Sequence, residues 1–189
     1  MRKIIAAINM TLDGFCDHTA GFAADAELHD HYADLLNNAG IILYGRTTYQ
    51  LMQFWQTLLE NPSDDKSMND FAHSIDKTEK LVFSNTLKDT GWDTAKLANK
   101  PLDEEVLELK QKQGKDIFIG SRSLIIQLLN SNLIDEFQIC IHPVIEGKGL
   151  PLFDKITDRI IFKLIRTKSL DSGATVFYYK PIPGKTTND

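Results

Sequence analysis

The sequence has few cysteines and no recognisable set of metal ligands. Its two cysteines, Cys16 and Cys140, lack the spacing of a metal site, and one pair in 189 residues is no disulfide framework. The five histidines show no HExxH or similar ligand motif. We therefore expect neither a bound metal nor structural disulfides, and we predict a reducing, cytoplasmic location.

Long hydrophobic runs and an excess of positive charge are also missing. The apolar stretch from Ile4 to Ile8 is too short for the core of a signal peptide. No other segment approaches the roughly 20 apolar residues of a membrane span. Acidic residues outnumber basic ones by 26 to 21, which gives a net charge of -5. The composition thus predicts no membrane insertion and no nucleic-acid binding, since the latter needs clustered basic residues.

What the sequence does contain is enough apolar material for a full core. A hydrophobic content of 42% in 189 residues suits one domain, which at this size buries roughly 70% of its unfolded surface. No repeat or low-complexity linker divides the chain. We assign residues 1–180 to a single domain and residues 181–189, which are proline, glycine and polar residues, to a loose C-terminal tail.

The segment from Lys115 to Phe153 has the order strand, glycine turn, helix, strand. Asp116 to Ile119 is a short apolar run that stops at Gly120, as expected of a buried strand. The helix that follows has an apolar stripe at helical spacing, formed by Leu124, Ile125, Leu128 and Leu129. A strand that ends in a glycine turn before a helix directs unpaired backbone N–H groups at an anion.

A second turn of the same kind follows the apolar strand from Ile41 to Tyr44. There Gly45 and Arg46 precede a predicted helix, and the guanidinium group of Arg46 suits a phosphate better than a neutral group. Two converging turns with an arginine would bind one diphosphate. The alternative is that Arg46 only pairs with a nearby surface carboxylate.

The order of elements predicts an α/β fold. Strands and helices alternate, and the sequence then ends in two strands joined by the turn at Asp171, Ser172 and Gly173. We predict a three-layer α/β/α structure with a mostly parallel central sheet and an antiparallel C-terminal edge. In such sheets ligands bind beyond the carboxyl ends of the strands. The residues predicted at those ends are Asp13, Arg46, Ser84 and Gly120.

Five short motifs in this order give the sequence its resemblance to a known family. They are MTLDGF (Met10 to Phe15), YGRTTY (Tyr44 to Tyr49), LVFSNTL (Leu81 to Leu87), IGSRSL (Ile119 to Leu124) and LIDEFQICIHPVIEGKGLPLF (Leu133 to Phe153). The chain resembles the dihydrofolate reductase-like superfamily. Within it, the sequence is similar to proteins related to the C-terminal reductase domain of the bifunctional riboflavin biosynthesis deaminase-reductase.

The resemblance implies NADPH as cofactor, a homodimer, and a set of site residues. The implied cofactor-binding residues are Ala7, Gly45, Arg46, Thr47, Thr48, Ser84, Asn85, Gly120, Ser121, Arg122 and Ser123. The residues implied around the substrate are His29 and Trp55 for binding and Asp13, Glu27 and Asp30 for catalysis. Asn85 stands where an arginine often faces the 2′-phosphate, which leaves NADH as the alternative cofactor. Gly120-Ser121 replaces a pair of glycines that many members join by a cis peptide.

The resemblance predicts a reductase that transfers a hydride to a pterin- or pyrimidine-like heterocycle, at a CH–NH or C=N bond. The implied activity is similar to that of 5-amino-6-(5-phosphoribosylamino)uracil reductase. The sequence lacks the zinc motif of the deaminase domain, so we do not expect a bifunctional enzyme. The alternatives are dihydrofolate reductase activity, a sensor that binds NADPH without turnover, and a structural subunit with an empty cleft.

Overall fold

The computed structural model describes residues 1–18, 22 and 25–182. Its strands form one eight-stranded sheet in the order β4-β3-β2-β5-β1-β6-β8-β7. The strands are β1 (Ile4–Thr11), β2 (Ala39–Gly45), β3 (Lys80–Phe83), β4 (Ala95–Leu97), β5 (Asp116–Ile119), β6 (Glu136–His142), β7 (Ile161–Ser169) and β8 (Thr175–Ile182). Neighbours from β4 to β6 pair in parallel, whereas β8 is antiparallel to both β6 and β7.

Helices cover both faces of the sheet. They are α1 (Ala26–Asn38), α2 (Arg46–Met52), α3 (Phe54–Glu60), α4 (Lys66–Lys77), α5 (Leu102–Gln111) and α6 (Arg122–Asn130). The apolar stripes of α5 and α6 pack on one face in a core that includes Ile4 and Ile117. On the other face α1, α2 and α4 pack over Ile42 and Val82. The predicted three-layer α/β fold with an antiparallel edge is therefore confirmed.

The parallel pairing brings several predicted site residues to one edge of the sheet. Strands β1, β2, β3 and β5 run in the same direction, so that their carboxyl ends, at Thr11, Gly45, Phe83 and Ile119, lie at the same edge. Each of these strands is followed by a turn that carries predicted site residues. The fold thus provides the location in which doubly covered parallel sheets bind their ligands.

Several boundaries differ from the sequence prediction. The helix after Gly45 is two helices, because α2 ends before Gln53 and α3 begins at Phe54. Strand β4 is short and excludes Trp92, which precedes it and buries its ring against the ammonium group of Lys80. Strand β8 continues to Ile182, so Pro181 and Ile182, which were assigned to the tail, belong to the sheet; residues 183–189 lie outside the described residues.

Two features missing from the described ranges bear on function. None of their helices combines the length and the hydrophobicity of a bilayer-spanning helix. No cluster of three or more His, Cys, Asp or Glu side chains in those ranges is arranged to hold a metal ion.

Candidate functional site

The two glycine turns meet at the carboxyl edge of the sheet. The backbone N–H of Gly45 donates a hydrogen bond of 2.9 Å to the hydroxyl oxygen of Ser121. Ser121 is buried, and the peptide bond between Gly120 and Ser121 is trans. A Cβ atom at position 45 would lie 3.1 Å from the hydroxyl oxygen of Ser123, so a glycine there permits this close approach. The predicted convergence of the turns is therefore present.

A cavity of about 590 Å³, here called the polar cavity, lies on one side of this junction. It is bounded by the two turns, the end of β3 and the segment that leads into α5. Its lining residues are Gly45, Arg46, Phe83, Ser84, Asn85, Ala98, Asn99, Lys100, Pro101, Leu102, Ser123, Leu124 and Gln127. Arg46, Ser84 and Asn85, which were predicted from separate motifs, thus border one space.

Two cations border the polar cavity. Arg46 donates from Nη1 to the hydroxyl of Thr86 at 2.9 Å, and no carboxylate of the described residues lies within ion-pair distance of it. The alternative that Arg46 only pairs with a surface carboxylate is thereby excluded for the described residues. Lys100 forms an ion pair with Glu108, and the hydrogen bond to Glu108 raises the pKa of the Lys100 ammonium group. Arg46 therefore gives the cavity an uncompensated positive charge at neutral pH, whereas Glu108 offsets the charge of Lys100.

Helix starts at the polar cavity lack side-chain caps. Away from it, Asp25 caps α1 and Asp65 caps α4 by accepting a backbone N–H bond, and α3 has no side-chain cap. By contrast, α2, α5 and α6 begin beside the cavity without a side-chain cap. In α6 the Ser121 hydroxyl, which would normally cap the helix, accepts from Gly45 instead. The first N–H groups of α6 are consequently available to an external acceptor.

A second cavity of about 370 Å³, here called the apolar cavity, borders the same two turns from the other side. Side chains of β1, α1, α2, α3 and α4 surround it. Its lining residues are Ala7, Ile8, Asn9, Cys16, His18, Phe22, Leu28, His29, Tyr32, Leu36, Tyr44, Thr48, Met52, Trp55, Phe71, Phe118, Gly120, Arg122 and Leu150. No Asp or Glu is among these described lining residues. The cavity suits an uncharged, flat ligand with few polar groups.

An aromatic cluster forms one wall of the apolar cavity. The Trp55 ring lies edge-on to Phe71, with 4.5 Å between ring centroids, and 5.7 Å from the ring of His29. His29 Nδ1 lies 3.3 Å from the hydroxyl of Ser67. Burial lowers the pKa of the His29 imidazole, against the opposing effect of nearby carboxylates, so His29 is mostly neutral at pH 7.

The three carboxylates predicted for catalysis lie outside both cavities. Asp13 accepts from the hydroxyl of Thr11 at 2.6 Å and from the N–H of Gly147 at 2.7 Å, which joins two loops. Glu27 accepts from the N–H of Asp171 in the β7–β8 turn, and the side chain of Asp30 is exposed. Helix α1 instead presents Leu28, His29, Tyr32 and Leu36 to the apolar cavity.

The other predicted residues divide between the two cavities. Those that line the polar cavity are Gly45, Arg46, Ser84, Asn85 and Ser123, and those that line the apolar cavity are Ala7, His29, Thr48, Trp55, Gly120 and Arg122. Thr47 lines neither, and Ser121 lies at the junction. The guanidinium group of Arg122 donates to the carbonyl of Pro151 at 2.7 Å and pairs with Asp154.

Sequence reasoning missed residues in each cavity. Lys100 lines the polar cavity between β4 and α5, and Asn9 and Tyr32 line the apolar cavity. Asn9 could have been found, because it lies two residues after Ala7 on a strand and therefore shares its face. The sequence indicates Lys100 more weakly, because its only sign of a site role is its position between a strand and the helix that begins near Pro101.

A family model for the RibD C-terminal domain matches residues 2–176. The chain belongs to the RibD C-terminal domain family. This confirms the resemblance on which the site prediction rested. Among curated proteins, this family member is 36% identical to the uncharacterized protein YyaP of Bacillus subtilis (strain 168) over 182 residues, which cover 94% of each chain.

Solved structures agree with the family fold. The pyrimidine reductase-like protein DIP1392 of Corynebacterium diphtheriae matches with a TM-score of 0.69 at 16% identity, over 97% of this chain and 93% of that one. RibD of Acinetobacter baumannii matches with a TM-score of 0.67 at 15% identity, over 96% of this chain and 58% of that one. At these identities the matches establish the fold of this RibD C-terminal domain family member, and they do not assign its substrate.

Proposed function

We propose that this protein is an NADPH-dependent oxidoreductase that reduces a pyrimidine- or pterin-like heterocycle at a CH–NH or C=N bond, in the cytoplasm. One observation carries the proposal: two glycine turns, joined by the bond from Gly45 to Ser121, have a cationic cavity on one side and an aromatic cavity on the other. A dinucleotide has two nucleosides joined by a pyrophosphate, so its parts match this arrangement. Family membership supports the same reading.

The residues present fit the phosphate-bearing half of the cofactor. Arg46 and Lys100 supply positive charge in the polar cavity, and the uncapped start of α6 supplies backbone N–H groups. Ser123, at that helix start, and Ser84 and Asn85, at the end of β3, add short polar side chains. Two cations in one cavity favour a cofactor with an additional phosphate, and we therefore propose NADPH over NADH.

The nicotinamide, when bound, supplies the hydride. We propose that the apolar cavity stacks and aligns the substrate ring and excludes water from it, and that Trp55, Phe71 and Phe118 provide these contacts. A proton must also reach the reduced substrate atom. Because no carboxylate lines the described part of the cavity, we propose that this proton comes from a lining histidine or from an ordered water.

The proposal also addresses the three carboxylates for which the sequence predicted a catalytic role. We propose that Asp13 positions the loop after β1 against the loop that contains Gly147, because its carboxylate is occupied by both. A catalytic role of Glu27 or Asp30 would require a rearrangement that brings its carboxylate to the substrate, because neither residue lines a cavity here, and the rates of Glu27→Gln and Asp30→Asn test it. The dihydrofolate reductase alternative gains no support from α1, since that helix presents no carboxylate to the apolar cavity.

The test of the proposal is cofactor oxidation in the presence of candidate rings. The purified protein is mixed with NADPH and with 5-amino-6-ribosylaminouracil derivatives or dihydropterins, and loss of the reduced nicotinamide absorbance is followed by stopped flow. We expect oxidation with at least one ring and slower oxidation in Arg46→Gln. Absence of NADPH binding, measured by fluorescence titration, would overturn the whole proposal.

A second candidate function is a sensor that binds NADPH without turnover. The observation in its favour is the lack of a carboxylate among the described residues of the apolar cavity. The sensor predicts tight NADPH binding that is unchanged in Asp13→Asn and Asp30→Asn, with no oxidation by any ring. The same titration and stopped-flow measurements therefore separate the two functions.

We infer that the protein pairs with a second copy of itself through strand β7. This strand forms the end of the sheet, and Ile161, Leu164 and Ile165 on it are about half exposed. An edge strand with exposed apolar side chains is an aggregation hazard unless something covers them, and the same edge of a second copy is self-complementary. We expect a dimer by light scattering and a monomer for Leu164→Glu, whereas Leu107→Glu, on the exposed side of α5, should remain dimeric. A monomeric wild type would contradict this.

A further inference from the structure

A small group of hydrogen-bonding side chains is set into the wall of the apolar cavity. The side-chain oxygen of Asn9 accepts from the hydroxyl of Tyr32 at 3.2 Å. The Nε2 atom of His142 lies 3.2 Å from the same oxygen. Asn9 and Tyr32 line the cavity, whereas His142 is fully buried behind it with its ring 4.6 Å from that of Phe22. Neither the predicted site nor the proposed function uses this group.

The partners of Asn9 determine which way its amide faces. Burial raises the pKa of the Tyr32 hydroxyl and lowers that of the His142 imidazole, so the first is protonated and the second neutral at pH 7. When the side-chain oxygen of Asn9 faces Tyr32 and His142, it accepts from both the Tyr32 hydroxyl and the His142 Nε2–H. Only His142 Nδ1, a buried atom without a partner in the described residues, is then unsatisfied, and it is an acceptor.

The reversed amide is less favourable. It would place the Asn9 amino group against His142 Nε2 and would leave His142 Nδ1–H as a buried donor with no partner. The Tyr32 hydroxyl proton would also lose the acceptor that it now has. A buried unsatisfied donor costs about 1–3 kcal/mol, and the reversal creates one at His142 Nδ1. The side-chain oxygen of Asn9 is therefore occupied, and its amino group is the part left for the cavity.

This amino group is a fixed donor in a mostly apolar wall. It shares a face of β1 with Ala7 and lies among Tyr44, Phe118 and other aromatic rings of the same cavity. Arg122 is the cation in the described lining, and its guanidinium group is bonded to Pro151 and Asp154. In an apolar site, one oriented polar group decides which ligands bind without leaving an unpaired donor.

We propose that Asn9 selects the substrate ring by donating its amide N–H to a carbonyl oxygen of that ring, and that Tyr32 and His142 are positioning residues that hold the amide in this orientation. The proposal rests on the proposed function in one respect, because it takes the apolar cavity as the site of the ring. It names the substrate class more narrowly: an oxo-substituted heterocycle rather than its amino-substituted counterpart.

The acceptor could come from the substrate or from the carboxamide oxygen of the cofactor, and we assign it to the substrate. The experiment uses two pairs of rings that differ by one exchange of C=O for C–NH2, namely pterin against 2,4-diaminopteridine and uracil against cytosine. Dissociation constants for each ring are measured at pH 8 by calorimetry on the NADP⁺-loaded protein. The dissociation constant of NADP⁺ is measured separately.

We expect the wild type to bind the oxo member of at least one pair about tenfold more tightly, as one hydrogen bond to a neutral group permits. Asn9→Asp, which replaces the donor by an acceptor, should reverse the preference, while Asn61→Asp on the exposed end of α3 should leave it unchanged. Tyr32→Phe retains the ring but removes one of the two bonds that orient Asn9, and should reduce the preference. Thermal unfolding of each variant verifies that it is folded.

The outcomes are distinguishable. An unchanged preference in folded Asn9→Asp, or no preference or no ring binding in the wild type, overturns the proposal. A loss confined to NADP⁺ binding overturns the assignment to the substrate. Ring preference without NADPH oxidation would retain the role of Asn9 and overturn the reductase activity.

A spectroscopic measurement tests the positioning residues without any ligand. Long-range ¹H–¹⁵N correlation spectra of the free protein at pH 7 report which nitrogen of each histidine carries the proton. We expect His142 in the neutral form protonated at Nε2. Protonation at Nδ1 would mean that the amide of Asn9 is reversed, and would overturn the proposal.

Discussion

The two cavities that flank the glycine turns are built in different ways. The polar cavity is made by turns and helix starts, with Arg46 and Lys100 at its border. The apolar cavity is made by side chains from β1, α1, α3 and α4 that pack around an aromatic cluster. Backbone and charge thus form the half suited to phosphates, and side-chain packing forms the half suited to a ring. If this division is functional, substitutions in one half should leave the other nearly unaffected.

The largest expected effect is on the polar cavity. Arg46→Gln removes a charged donor that has no carboxylate partner among the described residues, so its full contribution is available to a phosphate. Charged hydrogen bonds contribute about 1.5–3 kcal/mol, and we expect the dissociation constant of NADPH to rise roughly 10- to 100-fold. Calorimetry should show unchanged ring binding in the apolar cavity.

Thr86→Val is the matched control. It removes the hydroxyl that Arg46 contacts in the free protein and keeps the charge. NADPH affinity should therefore change little. If Thr86→Val weakened the cofactor as much as Arg46→Gln does, the charge of Arg46 would not be the important property.

This difference also explains what could be predicted from the sequence. Gly45 and Gly120 follow short buried strands, so the turns, the sheet and Arg46 could be located from local patterns. Asn9, Tyr32 and Phe71 come from three elements that are distant in sequence, and only the packing of α1 and α4 on the sheet brings them together. Glu27 and His29 flank the apolar Leu28 on α1, so the apolar stripe of this helix does not specify which of the two borders the cavity.

A second expected effect is a loss of stability at acidic pH, and it should be localised to the side of the sheet that carries the apolar cavity. Burial, reinforced by Lys168 and Arg166, lowers the pKa of His31 on α1 from 6.5 to about 4. Because the folded pKa is lowered, this stabilisation is present above pH 6.5 and is lost as the pH falls toward 4. At pH 5 the loss amounts to roughly 2 kcal/mol. Hydrogen exchange at pH 5 should then show weaker protection in α1, a wall of the apolar cavity, than in α6.

The corresponding variants are His31→Gln and His73→Gln. The first removes the titrating group, so the free energy of unfolding measured with urea should differ less between pH 7.5 and pH 5. His73 is exposed on α4, so that its replacement should leave the difference intact. Equal loss of protection in α1 and α6 would mean that the two sides of the sheet do not respond separately.

A third prediction concerns the aromatic wall. Trp55→Ala removes the ring that packs against Phe71 and His29, and we expect the affinity for heterocyclic rings to fall about five- to tenfold. NADPH affinity should stay within twofold or so of the wild type, on the same separation of contacts. Phe54→Ala removes the neighbouring, exposed ring and serves as the control. Calorimetric titrations with pterin and with NADPH compare the two variants. A selective loss of NADPH binding in Trp55→Ala would show that the two cavities do not have separate ligands.

The smallest effect is expected for the carboxylates that lie outside both cavities. The hydrogen bond from Thr11, together with those from Gly147 and Glu146, lowers the pKa of Asp13, so this group is ionised at pH 7 and has no proton to donate. Removal of a general acid costs about 10²- to 10⁴-fold in rate. We expect Asp13→Asn, which keeps one acceptor oxygen between the two loops, to lower kcat by much less than this, and Glu27→Gln and Asp30→Asn to act similarly. A loss of a hundredfold or more in any of them, measured by NADPH oxidation under saturating ring, would place that carboxylate in the chemistry and require the loops to rearrange when the cavities are filled.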